Sequence, residues 1–321
     1  MSDARRSGAK LALATLGTAA LAAFAWGSLV ERNRFRVRKE TIPILDPGAT
    51  PIRILHLSDL HMAPWQQRKI DWLNSLSSEQ PDLVIVTGDS LGHSDGLQGL
   101  VEALSSFRET PGVFVHGSND YFAPQFKNPF GYFSRNSNEM QAPVELDTEA
   151  LERFFENLGW ENLNNTALGM ELQNSRLELA GTDDAHLDRD RLDTLPTALE
   201  SLREELGWYE DHSGPTPITI GVTHAPYQRV LNAFVTNGAD VIFAGHTHGG
   251  QVQVPGIGAL VTNCDLPRSM ASGLHLWRHA QNTAFLEVSA GVGTSIFAPV
   301  RFSCQPEAVL VTLTGDDFGY S

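Results

Sequence analysis

Residues 244–250 read AGHTHGG, which places His246 and His248 two positions apart between glycines, directly after the apolar run VIFA. What chemistry two imidazoles can do at such a bend depends on which other side chains meet them. Four further apolar runs end in similar residues. IRILHL is followed by SDLH, with Asp59 and His61. DLVIVT is followed by GDS, with Asp89. GVFVH is followed by GSND, with Ser118, Asn119 and Asp120. PITIGVT leads into THAP, with His224. Asp59 and Asp89 supply anionic oxygens, the four histidines neutral nitrogens, and Asn119 an amide oxygen. Mixed nitrogen and oxygen donors suit zinc, iron or manganese rather than calcium or magnesium. These seven donors are too many for one transition ion and suit two ions sharing a carboxylate. Two ions roughly 3.5–4 Å apart grip a phosphoryl group and deprotonate an attacking water.

Spacing agrees with this chemistry. In Asp59-x-His61 and His246-x-His248 the paired side chains are i and i+2, on one side of the chain if the backbone is extended. Gly88, Gly117 and Gly245 permit tight bends after each run. Each piece has a plainer reading. Asp89 and Asn119 are ordinary turn residues, and His224 is a hydrogen-bonded strand end. The argument for a metal site is their occurrence together, each after an apolar run. Weaker candidates surround them. His93, four residues beyond Asp89, belongs beside the site or in a solvated turn. Asp183, Asp184 and His186 of GTDDAH border the cleft or serve as caps. His116 is expected in the core. Arg268 is a phosphate contact or a surface arginine.

These donors need strands to carry them. Short apolar runs over 52–58, 82–88, 112–117, 176–181, 217–224 and 239–245 read as strands. Helical stretches are expected over 65–78, 97–107, 148–158, 192–207 and 227–236, with strands closing the C-terminus. Such alternation is α/β, and in α/β sheets ligands bind past the carboxyl ends of the strands. Trp65, Ile70 and Leu73 point a helix face to the core or to a bilayer. The stretch 121–147 is long and irregular, the kind of loop that acts as a lid or a surface excursion.

Leu11 to Val30 carries no charge, and 15 of its 20 residues are apolar. Twenty helical residues span roughly 30 Å, a bilayer core. With Arg5, Arg6 and Lys10 before it and a basic run after it, this reads as a single-pass N-terminal anchor in the cell membrane. The alternative is a secreted protein with a cleaved signal peptide, since Ala23-Phe24-Ala25 resembles a cleavage site. RRSGAK is a weak twin-arginine signal. The count of basic residues favours a cytoplasmic body, an export signal the other side. Three parts follow: an anchor or signal segment over 1–30, a basic connector over 31–50 whose TIPIL is a potential edge strand, and one catalytic body over 51–321. Eight of 23 cations and three of 38 anions fall in the first 40 residues, leaving 15 against 35, a net charge of −20 for the rest. Such a body excludes nucleic acid as a partner. Cys264 and Cys304 make one bridge at most, or are simply buried.

The ordered set SDLH, GD, GSND, THAP, GHTH resembles the calcineurin-like metallophosphoesterase superfamily from about Pro51 to the C-terminus. With the apolar N-terminus and GHTHGGQ, it is most similar to the bacterial membrane-linked branch. The resemblance implies a four-layer α-β-β-α sandwich of two mixed sheets, here with an N-terminal transmembrane helix. It implies two transition-metal ions, manganese, iron or zinc. Asp59, His61, Asp89 and His248 would hold one. Asp89, Asn119, His224 and His246 would hold the other. A bridging hydroxide would attack phosphorus in line. The family's third motif is Gly-Asn-His plus an acid, and here it is GSND. Either Asn119 shifts into the ligand place, leaving Asp120 where the histidine would protonate the leaving group, or Ser118 takes that place. The departure favours phosphodiester or pyrophosphate-type substrates over alkyl monoesters, with a lipid-linked ester suggested by the anchor. It also motivates a second reading, a weakly active metal-binding scaffold or sensor. The acidic body argues against phosphoprotein substrates.

Overall fold

The computed structural model describes residues 14–15, 17–18, 20–124 and 144–315. Fourteen strands form two mixed sheets and a small hairpin. In chain order they are β1 Arg36–Leu45, β2 Ile52–Leu57, β3 Leu83–Thr87, β4 Gly112–Val115, β5 Trp160–Asn162, β6 Ala167–Leu172 and β7 Ser175–Gly181. Then come β8 Ile218–Thr223, β9 Val241–Ala244, β10 Gln253–Val254, β11 Gly258–Ala259, β12 Gly273–His279, β13 Asn282–Val288 and β14 Glu307–Gly315. The helices are α1 Gln67–Ser75, α2 Gly96–Ala103, α3 Ser118–Tyr121, α4 Thr148–Asn157, α5 Leu195–Leu206 and α6 Gln228–Thr236.

The first sheet has the order β1-β14-β2-β3-β4-β5, and the second β12-β13-β9-β8-β7-β6. β2, β3, β4 and β5 run parallel, as do β7, β8, β9 and β13. Alternation of side chains along each strand decides the layering. Ile52, Ile54, Leu83 and Ile85 face Leu177, Leu179, Ile220, Val222 and Phe243 of the other sheet. The intervening Leu55, Leu57, Val84 and Val86 pack outward on Ile70, Leu73, Leu100, Leu151 and Phe155 of α1, α2 and α4. On the far side, Ile242, Ala244 and Leu286 pack on Leu195, Leu199, Val230, Leu231 and Phe234 of α5 and α6. The result is the expected helix–sheet–sheet–helix order.

Several details differ from expectation. The edge strand foreseen at TIPIL is ten residues long and pairs in parallel with β14, so half of the 31–50 connector belongs to the sheet. Arg38 holds it there. Its guanidinium reaches Glu287, Glu307 and Glu40, with both Glu287 and Glu307 fully buried. β6 and β12, which carry charged and polar residues, close the second sheet's edges as hairpins with β7 and β13. Cys264 and Cys304 are both free, with Cys304 buried.

Of the apolar segment Leu11–Val30, residues 14–15, 17–18 and 20–25 are helical, and a π turn follows at Trp26–Val30. Leu11, Ala12, Leu13, Leu16 and Ala19 lie outside the described residues, as does 125–143 of the long irregular stretch. Among the described residues, no helix is long and apolar enough to cross a membrane. The segment's end is fastened to the body. The Gly27 carbonyl accepts from Arg301 N–H, and buried Glu31 accepts from Trp26 Nε1 and Cys304 N–H.

Candidate metal centre

β2, β3 and β4 of one sheet and β8 and β9 of the other end at the same edge of the sandwich. Asp59 and His61 follow β2, Asp89 follows β3, Asn119 opens α3 after β4, His224 follows β8, and His246 and His248 follow β9. Donor atoms of Asp59, His61, Asp89 and His248 all lie within 4.8 Å of one another. His61 Nε2 is 3.5 Å from Asp89 Oδ2, and His248 Nε2 is 3.5 Å from Asp59 Oδ1. At the other oxygen of Asp89, His224 Nε2 is 3.6 Å from Oδ1 and Asn119 N–H donates to it at 2.8 Å, while Asn119 Nδ2 is 2.7 Å from Oδ2. His246 Nδ1 lies 3.2 Å from His224 Nε2. All seven sequence-derived ligands thus meet around Asp89.

The ligand geometry does not come from extended backbone. Asp59, His61, Asp89, His246 and His248 all have positive φ, between 42° and 66°. A left-handed non-glycine residue costs about 1–2 kcal/mol, and such strain collects at functional sites. Neighbouring atoms enforce it. Asp59 accepts from Ser58 Oγ at 2.5 Å and from His246 N–H at 3.0 Å, which ties the two sheets together. Gly245 allows this closeness, because a Cβ there would lie 1.8 Å from Ser58 Oγ and 2.6 Å from Asp59 Oδ2.

Backbone carbonyls set the histidine tautomers. His224 Nδ1 donates to the Thr87 carbonyl at 2.7 Å, which turns Nε2 toward Asp89. His246 Nε2 donates to the Asn263 carbonyl at 3.2 Å, which leaves Nδ1 as the lone pair facing His224. His61 and His248 stack at 5.0 Å with their Nε2 atoms 3.2 Å apart. Burial, aided by the neighbouring imidazoles, holds His61 far below the usual histidine range. Burial also brings His248 down to about 4 and His246 to about 3. Four imidazoles crowded in pairs, beside two buried carboxylates, are a donor set that a cation relieves. The residues present therefore fit a metal ion.

The two aspartates differ. Burial alone would raise Asp59, but the imidazoles of His248, His224 and His61 hold it well below the carboxylate range. Burial, with the charges of Asp59 and Asp120, pushes Asp89 up to about 7. For His224, burial opposes the charge, but Asp89, Asp59 and Asp184 prevail and raise it to about 9. A cation needs both groups deprotonated. Metal uptake should therefore release protons, more at pH 6 than at pH 8, with affinity rising as pH climbs through both values. Titration calorimetry in buffers of different ionisation heats counts them. A count of zero at pH 6 contradicts this assignment.

The GSND motif resolves into distinct jobs. Ser118 Oγ donates to Asp184 at 2.6 Å, whereas Asn119 sits on Asp89 through both its N–H and its amide. A half-turn of that amide presents Oδ1 instead, the change a cation beside Asp89 requires. Asp120 stands here as a clamp. Its fully buried carboxylate accepts from the N–H groups of Ser90, Leu91 and Gly117, at 2.8, 3.1 and 2.9 Å, so both oxygens are engaged by the loops that carry the ligands. Burial raises its pKa against those amides, yet a proton there would break one of these bonds. His93 lies in a turn. Its Nδ1 accepts from Asp95 N–H at 3.1 Å and its ring meets Trp65 edge-on, a turn role with no ligand contact among the described residues.

His186 stands closer than expected, its ring 4.6 Å from that of His246 and its Nδ1 2.9 Å from the Tyr227 hydroxyl. Buried His116 pairs with Glu152 at 3.0 Å beside Phe114, a packing role. Arg268 is exposed on a short turn.

Sequence reasoning missed two cations behind the site. Lys69 Nζ donates to the carbonyls of Leu60 and His61. Fully buried Arg301 donates to the carbonyls of Ala290, Gly291 and Gly293, the loop that walls Asp59. Neither belongs to a recurring spacing, so nothing local marked them. Arg301→Met should destabilise the fold by about 3 kcal/mol, because three buried carbonyls lose their donor. A denaturant titration measures the shift, and an unchanged midpoint would refute it.

A profile of the calcineurin-like phosphoesterase family matches residues 52–250. An uncharacterized protein of Bacillus subtilis, YpbG, is 27% identical over 94% of this chain and 93% of its own. An uncharacterized metallophosphoesterase of Aquifex aeolicus is 26% identical over 90% and 95%. A Bos taurus transmembrane protein with metallophosphoesterase domain is 26% identical over 84% of this chain and 54% of its own. The matched region contains every candidate ligand described above. This chain belongs to the calcineurin-like phosphoesterase family and is a metal-dependent phosphoric ester hydrolase.

Proposed function

We propose that the protein is a dinuclear phosphoesterase, held at the membrane by its N-terminal segment, with phosphodiester or pyrophosphate-type substrates. One observation carries the pairing of ions. Asp89 stands between two crowded nitrogen pairs, with Oδ2 toward His61 and Oδ1 toward His224. Asp59, His61, Asp89 and His248 would hold one ion. Asp89, Asn119, His224 and His246 would hold the other. When bound, such ions supply Lewis-acid activation of water and of the phosphoryl oxygens. The chain's own residues do the rest. The Thr87 and Asn263 carbonyls fix which imidazole nitrogen faces the site. Asp120 fixes the loops bearing Asp89 and Asn119, and Ser58 fixes Asp59.

With Asp120 engaged by amides, the chain offers no proton donor at GSND. A general acid contributes typically 10²–10⁴-fold. Esters with acidic leaving groups are therefore favoured. Full-length protein with manganese should hydrolyse bis-nitrophenyl phosphate faster than alkyl monoesters. Two bound metals with no turnover on any ester would favour instead a metal-binding scaffold, the reading that the altered motif motivates. Membrane attachment is supported by the uncharged stretch Leu11–Val30, by exposed Leu21, Phe24 and Leu29, and by the transmembrane relative's name. Recovery of the chain in detergent but not in high-salt or carbonate washes tests it. A lipid-linked ester as substrate follows from that location alone.

A further inference from the structure

The foot of the N-terminal segment meets a cleft of about 420 Å³ that no ligand side chain lines. Arg32, Asn33, Trp65, Gln67, Arg68 and Ile296 form its walls. A neighbouring hollow of about 490 Å³ shares Asn33 and Arg68 and adds Arg34 and Arg36. Arg36 is neutralised by Glu307. Arg32, Arg34 and Arg68 form no ion pair among the described residues, and Arg32 Nε is buried there without an acceptor. A buried donor without a partner is costly unless something accepts from it. The rest of the body carries an excess of negative charge, so unneutralised arginines around a concavity are a local exception.

Apolar groups stand immediately beside this charge. Leu29 is 70% exposed and Trp65, on the cleft's rim, 62%. Phe24 and Trp26 are exposed one turn or so earlier in the chain. Tryptophan at a polar–apolar boundary and arginine just below it are the arrangement of a membrane interface. Guanidinium forks match phosphate oxygens in geometry and charge. A phospholipid presents both features in the same order, acyl chains on one side and a phosphate on the other.

We propose that the cleft between Arg32 and Arg68 binds the phosphate of an anionic phospholipid headgroup, seating the catalytic body against the bilayer. This rests on the membrane reading above. It places the cleft at the level of the headgroups, with the metal centre behind it: Lys69, on the same helix as Arg68, donates to the His61 carbonyl.

The test uses the full chain in neutral detergent, supplied with phosphatidylglycerol or phosphatidylcholine, with retained lipid counted by native mass spectrometry. Phosphatidylglycerol should be retained about thirtyfold over phosphatidylcholine, the scale expected for two interfacial arginines. The double variant Arg32→Gln/Arg68→Gln should bring that ratio below about twofold, while Arg278→Gln, equal in charge removed per site but on β12, should leave it unchanged. Diesterase activity of the double variant should persist, which shows that it folds. Equal retention of the two lipids, or a preference that survives the double variant, overturns the proposal. So does arginine-dependent binding of inorganic phosphate without any lipid preference, which would assign the cleft to a soluble anion. If the chain proves extractable without detergent while the arginine-dependent preference remains, the anchor falls and the cleft stands. An integral protein without the preference gives the converse.

Discussion

Asp89→Asn should abolish turnover and strip the protein of metal while leaving it folded. Asp89 faces both nitrogen pairs, and both its oxygens also accept from Asn119. An amide in its place keeps the shape and one oxygen but removes the charge. The freed NH₂ would then point at an imidazole or at the Asn119 amide. Divalent ions lose the anionic oxygen shared by the two ligand sets, and hard-oxygen coordination depends on that charge. The expected loss in kcat/KM is about 10³-fold or more, a removal of roughly 4 kcal/mol of transition-state stabilisation. Metal content should fall with it. Because burial holds the Asp89 carboxyl at a raised pKa, removing its charge should not harm the fold. Thermal unfolding of the metal-free variant should match that of the metal-free parent, and full activity in the variant would remove Asp89 from the chemistry.

The second large effect comes from a residue with no functional group. Gly117→Ala puts a methyl 2.4 Å from Asp89 Oδ1, 2.7 Å from Asp89 N and 2.8 Å from His224 Cε1. Gly117 has a φ of −114°, so backbone conformation is not the obstacle. The obstacle is contact alone. Asp89 N is backbone, so the strain must move the β3 loop or the start of α3. The first movement displaces Asp89 and the second Asn119, each by a large fraction of an ångström. Misplacement of about 1 Å costs on the order of 10²-fold in rate. The variant should therefore lose about 10²-fold in kcat, and its metal affinity should weaken. Steady-state kinetics at saturating manganese reads the first, and titration against a chelator the second. A variant as active as the parent would mean that the loops yield freely and that ligand placement is not set there.

The sequence made the ligand set legible because each donor follows an apolar run that could only be a buried strand. Ile52–Leu57, Leu83–Thr87 and Val241–Ala244 bury nearly every residue, as strands covered on both faces do. Three features were not legible. The bends carrying Asp59, His61, Asp89, His246 and His248 are left-handed, a conformation their residue types do not announce, and Gly117 and Gly245 give the close approach across the two sheets that goes with it. The groups that orient His224 and His246 are the carbonyls of Thr87 and Asn263, which any residue would supply. Edge strands β6 and β12 show partly exposed sequences such as GLHLWRH, whose polar residues masked the strand signal. Asp120 carries a contact that spacing did not announce: a carboxylate beside a site suggests acid catalysis, and here, three residues after Gly117, it accepts that residue's N–H.

The pairing of cations about Asp89 is tested most directly by anomalous scattering from manganese in crystals of the full chain. The expected map has two peaks, one among Asp59, His61 and His248 and one among Asn119, His224 and His246, with Asp89 between them. A single peak in crystals of protein that hydrolyses bis-nitrophenyl phosphate at its full rate would contradict the paired centre.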